Sequence, residues 1–345
     1  MASIRMNKKL FFILLNSMMA IAQAATIAQS TTTAMNDNKL HIYFCGTGEP
    51  NPITQNIRKP ACLAVVENNN FLLFDAGEGA ISTLATLIPS YMRLSHIFIT
   101  HWHSDHFSGL AQVLTASWYM ERENTINLYG PYGIYEVLNG LKRAYRLDVL
   151  FRSINEQFDP TLAFASPHLI DPNKNGKNLF QDSNLSVSAF QVDHSPVYPA
   201  LGYVLNYKNC KIVISGDTKI VPSLADQAKD ADVLINEALN AKMLAQQRQR
   251  NPIRLKEIEA YHSETLALAK MAQASQVKQL YLTHFVPFLL TTAAAKKEFT
   301  AGMDQYYSGP IVATDDRDQI EIESNGKDPC KVTYLPAKPL EIKFS

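Results

Sequence analysis

Thr100-His101-Trp102-His103-Ser104-Asp105-His106 follows directly on the apolar run Ile97-Phe98-Ile99, and this junction decides how the rest of the 345-residue chain is read. Side chains two apart on extended backbone project to one side, so His101 and His103 can converge on a single cation. A turn after His103 frees Asp105 and His106 to face a second cation close by. Neutral imidazole nitrogens and carboxylate oxygens are good zinc ligands. With only 9 histidines in the chain, this clustering is far more specific than a polar surface loop would produce.

Four ligands do not complete two sites, so others must come from elsewhere. His194, Asp217 and His284 each close a strand-like run, namely Phe190-Gln191-Val192-Asp193, Ile212-Val213-Ile214-Ser215-Gly216 and Leu280-Tyr281-Leu282-Thr283. Polar residues at strand ends line the sites of layered α/β proteins. Together with the cluster they make a ligand set that suits a bridged pair of cations.

The surrounding chain supports such layering. Apolar runs predict strands over 40–45, 61–66, 71–75, 96–100, 185–191, 201–207, 211–215, 233–236 and 278–283. Helical spacing marks 80–88, 109–122, 133–146, 222–228 and 264–274. The stretch 147–183 carries Pro160, Pro167 and Pro172 and reads as a surface insertion within one domain over 39–345. Strands with interspersed helices argue for an α/β sandwich.

The beginning of the chain does not belong to that domain. Lys8 and Lys9 precede the apolar run Leu10–Leu15, and Ala22-Gln23-Ala24 supplies small residues where a signal peptidase cuts. Residues 1–24 are expected to be a signal peptide, with Met6 a plausible start, and 25–38 a flexible lead-in. The apolar run is shorter than the roughly 20 residues of a membrane span, so no stable membrane association is expected after cleavage. Localisation is then periplasmic or secreted. Lysines and arginines balance acids at 32 each, and cleavage removes Arg5, Lys8 and Lys9, leaving a mildly acidic protein that is a poor partner for nucleic acid. Arg248, Arg250, Arg254 and Lys256 are followed by Glu257 and Glu259, as on a solvated helix face. In an oxidising compartment Cys45, Cys62, Cys210 and Cys330 can form disulfides in any of 3 pairings, or stay buried thiols.

The motifs resemble the metallo-β-lactamase superfamily, in its ribonuclease Z and arylsulfatase-like branch, over residues from about 40 to 320. Gly46-Thr47-Gly48-Glu49-Pro50 with Arg58 is similar to that branch's opening loop, and Phe74-Asp75-Ala76-Gly77-Glu78-Gly79 to its first acidic motif. The 100–106 segment, Asp193-His194, Ser215-Gly216-Asp217-Thr218 and Leu282-Thr283-His284-Phe285 follow in the family's order. The resemblance implies a four-layer αβ/βα sandwich. It places His101, His103 and His194 on one metal and Asp105, His106 and His284 on the other, with Asp217 bridging and Asp75 buttressing the ligands. The implied cofactor is two zinc ions per chain, with manganese or iron(II) as alternatives. Tyr261-His262-Ser263-Glu264 resembles the branch's catalytic histidine motif, although Glu264 departs from the usual small residue or Thr there. Ser263 is a candidate helix N-cap. Ile235-Asn236-Glu237-Ala238 resembles a His-Glu-Ala segment with Asn236 in place of histidine, and Glu237 is expected to orient His262.

These residues predict hydrolysis by a metal-activated hydroxide, with Asp105 taking up a proton and His262 serving the leaving oxygen. The preferred substrate is a small sulfate ester or phosphodiester. The alternatives are a ribonuclease Z trimming transfer RNA, and a thioester hydrolase or lactonase. Against the ribonuclease stands the interval of 23 residues from His194 to Asp217, too short for an RNA-binding arm. His194-Ser195-Pro196-Val197-Tyr198-Pro199 resembles the exported arylsulfatase-like group. Trp102, Trp118, Tyr119, Tyr198 and Phe288 are candidates for an apolar substrate wall, with ordinary core as the alternative for each. A homodimer is the expected assembly from the resemblance.

Overall fold

The computed structural model describes residues 37–68, 70–88, 91–247 and 252–338, so the expected signal peptide and nearly all of the lead-in lie outside the described residues. Strand β1 (Leu40–Gly46) pairs antiparallel with β2 (Cys62–Glu67), and β2 with β3 (Asn70–Phe74). β3 then runs parallel to β4 (His96–Phe98), which is followed by β5 (Asn127–Gly130) and β6 (Ser166–Leu169), also parallel. A second sheet contains β7 (Phe180–Gln181), β8 (Leu185–His194), β9 (Val197–Tyr207), β10 (Cys210–Ile214), β11 (Val233–Leu239), β12 (Leu280–Val286) and β13 (Ile311–Ala313). β14 (Gln319–Glu323) and β15 (Lys331–Leu335) return to the first sheet beside β1, giving the order β15-β14-β1-β2-β3-β4-β5-β6.

Alternation along the strands sorts residues between layers. On β1, Leu40, Ile42 and Phe44 join the core between the sheets, while Tyr43 and Cys45 turn to the helices outside. On β10, Ile212 and Ile214 face the inter-sheet core and Val213 the other way. Helices α1 (Ala80–Leu87), α2 (Ser104–Phe107), α3 (Leu110–Tyr119) and α4 (Ile134–Ala144) follow the strands of the first sheet, and α1, α3 and α4 cover its outer face. α5 (Arg146–Asn155) continues from α4. α6 (Pro222–Ala228) covers the second sheet's outer face with α9 (Thr265–Ala274) and α10 (Ala293–Phe299), after the intervening α7 (Ala241–Gln247) and α8 (Pro252–Tyr261). The result is the expected four-layer αβ/βα sandwich.

Stacked Phe74, Phe98 and Tyr129 rings, 5.0 and 4.9 Å apart, meet the edge of Tyr203 from the opposite sheet. The Tyr203 hydroxyl donates to the Ile99 carbonyl at 2.6 Å, and Leu201 N donates to the Thr100 carbonyl at 3.0 Å. The two sheets are therefore registered against each other immediately below the histidine cluster.

Several elements differ from the sequence reading. The stretch 147–183, read as a surface insertion, contains α5 and supplies β6, the edge strand of the first sheet. Its prolines are compatible with an edge position, where Pro167 need not donate to a further strand. The short strands β5, β13, β14 and β15 were not anticipated. The cysteines form two disulfides, Cys45–Cys62 between neighbouring strands and Cys210–Cys330 between β10 and the chain entering β15.

Candidate metal centre

The cluster sits where β4 ends. His103 is the N-cap of the single-turn helix α2, which turns Asp105 and His106 away from the strand direction. His194 closes β8. Asp217 follows β10 through Gly216, whose φ of 61° and approach to the Leu201 carbonyl leave no room for a Cβ. His284 sits in a bulge of β12, at φ 44°: Glu237 pairs with Thr283 and Ala238 with Phe285, so His284 has no opposite number and its side chain is re-aimed.

The seven side chains named from sequence converge. His103 Nδ1 lies 3.0 Å from His101 Nε2 and 3.2 Å from His194 Nε2. Asp105 Oδ2 lies 3.0 Å from His284 Nε2 and 3.5 Å from His106 Nε2. Asp217 Oδ2 stands 3.3 Å from both His106 and His284 Nε2, and 3.8 Å from His194 Nε2, between the two groups. Tetrahedral bonds of about 2.0–2.1 Å to zinc space the ligand atoms roughly 3.3 Å apart, so these separations fit two adjoining cation sites. His106 Nε2 is buried without a hydrogen-bond partner among the described residues, as suits an atom aimed at a cation.

A ring of partners fixes which nitrogen faces inward. Asp75, at φ 58°, accepts from Thr100 N at 2.8 Å and from the Thr100 hydroxyl, and pairs with His106 Nδ1 at 2.7 Å. The Thr100 hydroxyl pairs with His101 Nδ1 at 3.0 Å, and the Tyr261 carbonyl with His194 Nδ1 at 3.0 Å. In His101, His106 and His194 the outer nitrogen is thus engaged and the other is left to face the centre. Thr100 and the Tyr261 carbonyl were not singled out as partners from sequence. A hydroxyl directly preceding His101 was the available signal for the first. The second is a backbone atom and leaves none.

Charge divides the imidazoles. Burial holds His101 neutral and pushes His194 down to about 4. Burial also opposes charging His106 and His284, but carboxylates outweigh it. Asp217, Asp105 and Asp75 hold His106 well up, and Asp217 with Asp105 raises His284 to about 9. Burial would likewise raise Asp217, yet His284 and His106 hold it well below the usual carboxylate range.

His262 borders the cluster, its ring 5.1 Å from that of His194 and 5.8 Å from that of His284. Its Nδ1 lies 3.0 Å from Glu237 Oε1, which also accepts from Ser263 N at 2.8 Å and Thr218 N at 3.2 Å. Ser263 is not the N-cap of α9. Glu264 is, accepting from Leu266 N and Ala267 N at 2.8 and 2.9 Å, while the Ser263 hydroxyl donates to the Thr218 carbonyl. The expected aromatic wall does not assemble as a unit. Trp118 is buried with Val149 and Ala163 in a core of its own, Tyr119 lies under the Arg152 guanidinium, and Tyr198 is solvent-exposed. Trp102 packs edge-on against Phe107 and donates to the Tyr132 carbonyl. The open cleft beside the cluster is lined by His103, His194, Ser195, Pro196, Glu257 and Tyr261.

A four-layer sandwich with these residues gathered at the strand ends of both sheets defines a metallo-hydrolase of the metallo-β-lactamase fold. The chain belongs to the family described as anti-Pycsar protein Apyc1, whose model matches residues 40–286. It is similar to the ribonuclease Z of Mycobacterium avium (strain 104), 27% identical over 289 residues that make up 83% of this chain and 99% of the relative. Among solved structures it resembles YhfI of Bacillus subtilis, with 15% identity and a TM-score of 0.61 over 82% of this chain and 99% of that one. It also resembles the short form of human tRNase Z, with 24% identity and a TM-score of 0.57 over 81% and 98%. Zinc-bound PqqB of Methylobacterium extorquens shares the fold at 11% identity, with a TM-score of 0.53 over 81% and 99%.

Proposed function

We propose that the protein is a binuclear zinc-dependent phosphodiesterase. The observation that carries this reading is the convergence of His101, His103 and His194 beside Asp105, His106 and His284, with Asp217 Oδ2 between them. When bound there, divalent cations supply Lewis acidity and bring the ionisation of water from a pKa of 15.7 to about 7. Asp105 stands where it can take up the proton released. His262, anchored through Nδ1 by Glu237, keeps its other nitrogen for the leaving oxygen, and burial of the pair shields their contact from bulk solvent.

Similarity to ribonuclease Z along nearly its whole length favours a phosphodiester over the sulfate ester anticipated from sequence, for which the remaining support is the resemblance at 194–203. The same similarity favours a second reading, processing of an RNA. Against an RNA stands the path from His194 to Asp217. It consists of β9, the turn at 208–209 and β10, with no protruding arm among these residues. A small diester is therefore the preferred substrate. Export to an oxidising compartment is supported by the two disulfides. No helix of the described residues is long and apolar enough to cross a membrane.

The deciding experiment compares bis-p-nitrophenyl phosphate, p-nitrophenyl sulfate and a transfer RNA precursor on the zinc-loaded protein. Turnover of the diester well above the sulfate is expected. RNA cleavage far faster than either would establish the second reading in its place.

A further inference from the structure

Each imidazole of the centre whose Nε2 faces inward needs a partner for its other nitrogen, since that partner fixes the ring and tunes its basicity. His101 has the Thr100 hydroxyl, His106 has Asp75 and His194 has the Tyr261 carbonyl. His284 breaks the pattern: its Nδ1 is buried with no hydrogen-bond partner among the described residues. A second buried group is equally unmatched. Glu237 spends Oε1 on three donors, while Oε2 has no partner among the described residues.

The two unmatched groups belong to neighbouring strands, because Glu237 stands opposite Thr283 and His284 follows in the bulge. Both residues line one internal cavity of about 30 Å³, whose wall includes Asp75, His106 and Asp217. A volume of that size accommodates one water, at most two, and a buried water needs two or more polar partners. Of its lining residues, His284 has an unmatched ring nitrogen and Glu237 an unmatched carboxylate oxygen, a donor and an acceptor of the kind such a water needs.

We propose that this cavity is a structural water site bridging His284 Nδ1 to Glu237 Oε2. The water accepts from His284 and donates to Glu237. The inference rests on the reading of His284 as a metal ligand through Nε2. It gives Glu237 two positioning roles, directly on His262 through Oε1 and on His284 through the water from Oε2. A single carboxylate thereby links the leaving-group histidine to the metal centre.

A high-resolution crystal structure of the zinc-loaded protein tests the site. Density for a water within hydrogen-bond reach of both atoms is expected. A cavity without such density, or Glu237 Oε2 paired elsewhere, overturns the proposal even if zinc is present. Zinc bound without His284 overturns the parent reading as well. In solution, E237Q keeps the shape but removes the anionic acceptor, and it should weaken zinc binding by about tenfold or more in a chelator competition. H262A should leave zinc affinity unchanged. Equal zinc affinity in E237Q, in H262A and in the unmodified protein would mean that Glu237 acts through His262 alone. Circular dichroism and the melting profile confirm that both variants are folded.

Discussion

His262 and Glu237 form a buried pair whose geometry separates two roles. In the proposed mechanism the carboxylate orients the imidazole, whose other nitrogen would serve the leaving oxygen. H262A should therefore lose little rate on diesters with good leaving groups such as p-nitrophenolate, and about 100-fold or more on poor ones, within the usual range of acid catalysis. The slope of log kcat against leaving-group pKa measures this, and an unchanged slope would remove the acid role. The imidazoles at the centre make a second prediction. His106 and His284 are held protonated by their carboxylates in the metal-free protein, with His284 titrating near 9, so zinc must displace protons to bind. Zinc affinity should rise with pH toward 9, and calorimetry in buffers of different ionisation enthalpy should register proton release at pH 7.5. The metal-free protein has the opposite slope from His284. A raised histidine contributes stability that is fully present below about 6.5 and lost as pH rises through about 9. An affinity independent of pH between 6.5 and 9 would contradict the carboxylate cage.

At the scale of elements, the disulfide Cys210–Cys330 ties the second sheet to the start of β15, an edge strand of the first, across a separation of 120 residues. In the chain-entropy account a loop of that length is worth roughly 2–5 kcal/mol. C210S/C330S should lower the denaturant midpoint accordingly and leave zinc stoichiometry unchanged, because neither sulfur is near the centre. The long elements were legible in the sequence because period-2 alternation and helical spacing persist long enough to be read, as on β1, β8 and α9. Some of the shorter ones were not. β5 has four residues and β13 three, and each is a strand only because a neighbour supplies the ladder. The metal residues were legible because their chemistry is written in residue type at strand ends. Of the two readings left open for Trp118, substrate wall or core, the core holds, and an aromatic in an amphipathic helix does not by itself reveal which layer it meets. The N-cap was displaced by one residue because Ser263 is engaged with Thr218, leaving Glu264 to satisfy the first amides of α9.

For the whole molecule, the division of ligands between the sheets has a mechanical consequence. His101, His103, Asp105 and His106 follow β4 of the first sheet, whereas His194, Asp217 and His284 belong to strands of the second or follow directly from them. Cations held by both groups would cross-link the two halves of the sandwich at the same end where Tyr203 reaches Ile99 and Leu201 reaches Thr100. An ion that binds only the folded form stabilises it by about 2.7 kcal/mol at 100 times its Kd, which corresponds to several degrees in Tm for a domain of this size. Chelation should lower Tm by that amount and should loosen both sheets together. Amide exchange would rise at the ends of β4, β8, β10 and β12 and change least in β14 and β15, which contribute no ligand. If exchange on metal removal rose on the first sheet alone, the cations would be held by the 101–106 turn without the second sheet, and the shared centre proposed for this fold would have to be abandoned.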